Sequence, residues 1–113
     1  MKQTKVNDSA AEFEQRLRKT EKEKYVLRLY VAGMTTKSKR AIQNIKQICE
    51  EHLENRCDLE VIDVFRQPIL AKGEQIIATP TLLRKLPLPL RKFIGDMSEK
   101  ERIIVGLDLR PKK

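Results

Sequence analysis

The chain has no tryptophan, and its two tyrosines and three phenylalanines amount to 4% of 113 positions. Few side chains are therefore available for stacking on single-stranded bases, and no helix-turn-helix or zinc-finger spacing accompanies them. Two cysteines, Cys49 and Cys57, are too few for a secreted disulfide framework. Their spacing is not that of a zinc or dithiol redox motif, so they are expected to be reduced thiols, with Cys49 in the core. The single histidine, His52, stands among Glu50, Glu51 and Glu54 without a second histidine, which suits a surface or cap role better than metal binding. Four glycines and five prolines exclude a fibrous or low-complexity chain. No apolar run is long enough to span a bilayer, and "MKQTKVNDSA" leads into charges rather than a secretory apolar core, so a cytoplasmic location is expected.

What is present suits one domain. At 113 residues and 40% hydrophobic content the chain can build one core but not two independent ones. The formal charge is +8. Residues 1–24 contribute seven basic and five acidic side chains and the remainder seventeen and eleven, so most of the excess lies on the globular part. Such a surface favours acidic protein partners or nucleic acid, and charge alone does not choose between them.

Residues 1–23 form a polar arm whose apolar positions, Val6, Ala10, Ala11, Phe13 and Leu17, make only a thin stripe. A short helix is compatible with "AAEFEQRLRKTEKEK", and no site is assigned there. The domain spans residues 24–113. "YVLRLYV", from Tyr25 to Val31, is β-branched and aromatic with Arg28 as its only charge, the composition of a central strand. Thr35, Thr36 and Ser38 are candidate N-caps for a helix whose buried stripe is Ala41, Ile42, Ile45, Ile48, Cys49 and Leu53. "CDLEVIDVF" returns to strand composition, giving a crossover unit with parallel strands. Asp63 stands in this apolar strand and needs either a solvated end or hydrogen bonds.

The second half supports two readings. "ATPTLLRKLPLPLRKFIGD", Ala78 to Asp96, fits an antiparallel hairpin across "LPLP" entered by a cis Thr79-Pro80 bond, with Gly95 and Asp96 as the exit turn. "SEKE" then reads as a capping box, with Ser98 at the N-cap and Glu101 bonding back. The same letters permit helices: Thr79 caps one that starts at Pro80 and ends at Pro87, and Leu90, Phe93 and Ile94 have helical spacing after Pro89. "RIIVGLDL" has strand-like β-branching in a region that the capping box marks as helix. Local preferences that conflict within one half of a chain point to a segment with more than one packing.

"YVLRLYVAGMT", "KRAI", "LEVIDV", "ATPTLLRKLPLPLRKFIGDMS" and "GLDL" together resemble the KaiB family of cyanobacterial circadian clock proteins, from about Lys24 to Leu109. The resemblance implies an α/β, thioredoxin-like fold, and a C-terminal half able to adopt either that packing or an alternative ground state that assembles into dimers or tetramers. It implies a non-catalytic regulator that binds the ring of a KaiC-type ATPase and modulates timing or stress-related signalling. A histidine kinase with a KaiB-like sensor domain is implied as a related partner in the pathway, and no cofactor is implied. Thr79, Pro80, Pro87, Pro89, Gly106 and Asp108 fall in the segment expected to switch. Arg40, Arg91 and Lys92 match positive family positions linked to partner contact. Where the family commonly has "GNTP", this chain has "GMTT", and it ends in basic "RPKK".

Two other classes compete. A thioredoxin-like redox enzyme needs a cysteine at the start of the first helix, where the helix N-terminus lowers its pKa, and "AGMTTKSKR" has none. A basic nucleic-acid-binding module is motivated by +8 and "LRKLPLPLRK" but lacks aromatic platforms and a recognised motif.

Overall fold

A computed structural model describes residues 10–12, 14–15 and 23–109. Residues 10–12 and 14–15 are helical, and the remainder of the expected arm helix lies outside the described residues. The domain runs β1 (Tyr25–Val31), α1 (Thr36–His52), β2 (Cys57–Asp63), α2 (Pro68–Gly73), β3 (Thr81–Leu86), β4 (Arg91–Ile94) and α3 (Lys100–Gly106). One four-stranded sheet has the order β2-β1-β3-β4. β1 and β2 are parallel, whereas β3 pairs antiparallel with both β1 and β4. The expected strand-helix-strand unit and the hairpin are thus both formed, and "TLLRKL" is strand rather than helix.

Period-two alternation divides the sheet's side chains between two faces. Tyr25, Leu27, Leu29 and Val31 of β1 join Leu82 of β3 beneath the α1 residues Ala41, Ile45 and Ile48, and Ile103, Ile104 and Leu107 complete that cluster from the C-terminal end. Tyr30, Ile62 and Leu83 point to the opposite face, where Ala71 of α2 covers them. β1 is central and covered on both sides, which is why its sequence is almost continuously apolar. Arg28 faces the α2 side and meets Glu60, its directly registered neighbour on β2, at 3.4 Å.

Of the three candidate caps, Thr35 starts α1, its hydroxyl accepting the Ser38 N–H at 3.1 Å. Asp63 closes the far end of β2 by accepting from the Gly33 and Phe65 N–H groups at 3.2 and 2.9 Å, so this carboxylate is hydrogen-bonded rather than simply solvated. Gly33 has φ +71, a conformation that L side chains rarely adopt.

Two expectations are corrected. Ser98 does not cap α3: the N-cap is Glu99, with no side-chain cap bond. The reason is local, because Asp96 Oδ1 takes the Ser98 N–H at 3.0 Å and Lys100 N–H bonds to the Ser98 carbonyl, which leaves Ser98 in a turn ahead of the helix. The cysteines are free thiols, as expected, but Cys49 is not in the core. α1 ends at His52, the chain turns through Asn55 at φ +60, and β2 starts at Cys57, which brings the Cys49 and Cys57 Sγ atoms to 2.8 Å. Cys49 is half-buried against the core rather than enclosed by it.

Candidate functional site

Arg84 is the centre of the region where the sequence supports two packings. It is fully buried on β3, where a guanidinium is costly unless its hydrogens find acceptors. Nη1 donates to the Leu107 carbonyl at 3.0 Å and to Asp108 Oδ2 at 3.1 Å, while Nη2 donates to the Pro89 carbonyl at 2.9 Å. One planar fork therefore ties β3 to the hairpin tip and to the turn after α3, a reach that suits arginine's fixed donor geometry. The Tyr25 hydroxyl adds a bond from β1 to the same Leu107 carbonyl at 2.7 Å. Asp108 is buried with φ +61, in the left-handed region that aspartate tolerates better than most residues.

Gly106 ends α3 against β4. A Cβ added there would lie 2.4 Å from Phe93 Cε2 and 2.8 Å from its Cζ, so the absence of a side chain lets the helix approach the ring. The positive φ in this segment belongs to Asp108, and the requirement at Gly106 is one of space.

The remaining proposed positions frame this latch. Thr79-Pro80, Leu86-Pro87 and Leu88-Pro89 are all cis. The Pro80 carbonyl accepts the Gly95 N–H at 3.0 Å, and Thr81 Oγ1 donates to the Ala78 carbonyl at 2.6 Å, which holds the entry of β3 beside the exit of β4. Pro87 and Pro89 form the hairpin tip, with Pro87 buried and Pro89 exposed. Of the six positions, Gly106 and Asp108 meet the hairpin from the α3 side, Pro89 accepts from Arg84 within the hairpin, and Pro80 pairs with Gly95 at its base.

The three basic positions do not form one patch. Arg40 lies on α1 and meets Asp96 at 3.4 Å. Its neighbours on the same helical face continue the stitch: Asn44 Nδ2 donates to the Asp96 carbonyl at 2.9 Å, and Gln47 accepts from Lys100. Hydrogen bonds from Ser98, followed by the Arg40 guanidinium, hold the Asp96 carboxyl below its ordinary pKa. Arg91 and Lys92 are consecutive on β4 and point to opposite faces of the sheet. Arg91 is registered with Arg84, and its Nε is buried without a hydrogen-bond partner; Lys92 is registered with Leu83 and exposed. Between β4 and the start of α3 is an open cleft of about 330 Å³, lined in part by Lys92, Phe93, Asp96, Met97, Arg102 and Ile103.

Arg84 was not singled out from the sequence, and Phe93 was named only for a helical spacing that the strand β4 overrides. A signal for Arg84 existed, since a charge within "TLLRKL" poses the same question that Asp63 poses within "LEVIDV".

The KaiB domain model matches residues 28–109. The chain belongs to the KaiB family. A circadian clock oscillator protein KaiB from Nostoc punctiforme is 52% identical over 88 residues, covering 78% of this chain and 85% of the relative. The circadian clock protein KaiB3 of a Synechocystis strain is 49% identical over 86 residues, covering 76% and 84%. Among solved structures, the N-terminal domain of Synechococcus elongatus SasA superposes with TM-score 0.62 at 24% identity, covering 75% of this chain and 84% of that one. Mitochondrial thioredoxin 3 from Saccharomyces cerevisiae gives TM-score 0.62 at 18% identity, covering 88% and 90%. At these identities the structural matches carry the fold alone, and that fold is thioredoxin-like. This KaiB-family chain has Thr35 and Thr36 at the head of α1, where a thioredoxin would need its reactive thiol. Among the described residues no helix is long and apolar enough to cross a membrane.

Proposed function

We propose that this KaiB-family chain is a non-catalytic regulator that docks on the ring of a KaiC-type ATPase in the cytoplasm, with the packing around Arg84 as the binding-competent state. Family membership across the whole domain is the observation that carries this reading. Surface chemistry supports it: Phe65, Ile69 and Ile77 around α2 are 75%, 83% and 90% exposed, an apolar concentration suited to a partner rather than to solvent. Exposed Lys92 and half-paired Arg40 supply positive charge for an acidic partner surface. The alternative packing of the half after Phe65 is the ground state, a dimer or tetramer, in which Thr79, Pro80, Pro87, Pro89, Gly106 and Asp108 repack. A histidine kinase whose sensor domain shares this fold competes for the same ring, a reading supported by the likeness to the SasA N-terminal domain.

The test mixes the full chain with the KaiC homologue of its own organism and nucleotide, followed by size-exclusion chromatography with mass detection. Co-elution in a defined ratio is the expected result. Separate elution at concentrations well above micromolar, over hours of incubation, refutes the reading.

A further inference from the structure

The two cysteines lie outside the hairpin and α3, and nothing in the regulatory reading uses them. Cys49 is in the last turn of α1 and Cys57 opens β2, with seven residues between them that fold back so the sulfurs are 2.8 Å apart. Both are half-buried, neither enclosed nor fully open. The turn is well braced: Arg56 donates to the His52 and Glu23 carbonyls at 3.2 Å each, its guanidinium lies 5.9 Å from the Tyr25 ring centroid, and the Arg56 carbonyl accepts the Tyr25 N–H at 2.6 Å. A thiol pair held adjacent by a braced turn is preorganised for bond formation, because little conformational entropy remains to be lost on joining the sulfurs.

We propose that Cys49 and Cys57 are a reversible dithiol modification site, oxidised to an intramolecular disulfide by exchange with a small-molecule disulfide such as oxidised glutathione. The two thiols have different roles. Cys57 is the attacking group: the hydrogen bond from Cys49 stabilises its thiolate and pulls its pKa down. Cys49 is pushed the other way, by the same hydrogen bond and then by burial, and it stands near the negative end of the α1 dipole. In the first step the Cys57 thiolate attacks one sulfur of glutathione disulfide, breaking its S–S bond, forming a mixed disulfide and expelling one glutathione thiolate, which takes up a proton. In the second step Cys49 gives up its proton and attacks Cys57 Sγ, expelling the second glutathione. Two cysteine thiols and one glutathione disulfide become one protein disulfide and two glutathione molecules. The bond closes only residues 49–57, all before the half that is proposed to repack, so oxidation stiffens the join of α1 and β2 without selecting between packings of the hairpin.

The full chain is equilibrated in buffers of graded reduced and oxidised glutathione, quenched with acid, alkylated after denaturation and analysed by mass spectrometry. The expected oxidised species has lost two hydrogens, takes no alkyl group, carries no glutathione, and yields a peptide linking Cys49 to Cys57. Reduced glutathione restores two alkylatable thiols, and thermal unfolding of the oxidised form is raised by roughly 10 °C. Cys49→Ser traps glutathione on Cys57 as a mixed disulfide, because no second thiol remains to expel it. The site is refuted if the oxidised chain retains two free thiols, accumulates stable glutathione adducts, or forms only intermolecular dimers. No ATPase ring enters the assay, so its failure and failure of the regulatory reading are separately visible.

Discussion

A guanidinium with no solvent exposure has to find its acceptors within the protein, and the two terminal nitrogens of Arg84 find them at the hairpin tip, five residues on, and at the distant Leu107 and Asp108, while its Nε has none among the described residues. Breaking such a buried pair by deleting one member leaves an uncompensated group, at a cost of about 3 kcal/mol. Arg84→Ala is therefore expected to disfavour this packing by about that amount, read as a loss of the NMR helix signals from residues 100–106. Asp108→Asn should also destabilise, and Arg84→Ala with Asp108→Asn should cost less than the two single changes added together, because neither charge is then left alone. Additive losses in that cycle would show that the pair is not coupled. Asp96 gives a residue-scale pH prediction. Its carboxyl is held below the ordinary value by Ser98 and then Arg40, so the unfolded chain binds its proton at higher pH than the folded chain does. The contribution of Asp96 is thus fully present above the unfolded pKa and is lost as pH falls through the folded one. An NMR titration of its side-chain carboxyl should give a midpoint below that of an unstructured peptide, and Arg40→Ala should raise it.

At the scale of elements, the contact of α3 with β4 depends on Gly106 and Phe93 together. Gly106→Ala gains up to about 1 kcal/mol of helix propensity, yet its Cβ falls within 2.4 Å of the Phe93 ring, and overpacking of that kind costs about 1–3 kcal/mol. The expected signs are opposite in two backgrounds: Gly106→Ala destabilises the natural chain and stabilises Phe93→Ile, where the ring is gone. The population of this packing in the four proteins, read from the NMR helix signals of residues 100–106, tests this, and the same sign in both backgrounds would remove Phe93 from the explanation. The elements themselves were unequally legible in the sequence. β1, α1 and β2 were readable because strand composition, one apolar stripe and the Thr35 cap agree locally. "TLLRKLPLPLRKFI" was readable only as two alternatives, since the bonds that hold it as a hairpin under α3 come from residues 23 and 24 positions away from Arg84. The "SEKE" cap failed because Asp96 captured the Ser98 N–H first, and the cysteine pair was hidden because spacing along the chain says nothing about a turn through Asn55. Family resemblance marked out a segment expected to switch and three basic positions, but it could not reveal that Arg40 meets Asp96 or that Arg91 and Lys92 face opposite ways.

For the whole molecule, the proposed regulation turns fold population into affinity. When only a fraction of molecules has the binding-competent packing, the apparent dissociation constant rises by the inverse of that fraction. Substitutions then divide into two classes with different signatures. Lys92 is exposed, so Lys92→Ala should weaken contact with the ring while leaving the population unchanged. Arg84 is wholly buried and presents nothing to a partner, so Arg84→Ala can weaken binding only by depleting the competent packing. A loss of about 3 kcal/mol corresponds to a population change of roughly a hundredfold, and the apparent affinity should fall toward that factor where the competent packing is already the minor state. Gly106→Ala in the Phe93→Ile background should move the other way, by up to about fivefold for 1 kcal/mol. Binding isotherms with the ATPase ring give the affinities, and NMR helix signals from residues 100–106 give the populations in the same samples. Apparent affinity should track population one for one across the buried variants and depart from that line for Lys92→Ala. If Arg84→Ala abolished the helix signals yet bound the ring as tightly as before, the packing described would not be the one that the partner selects.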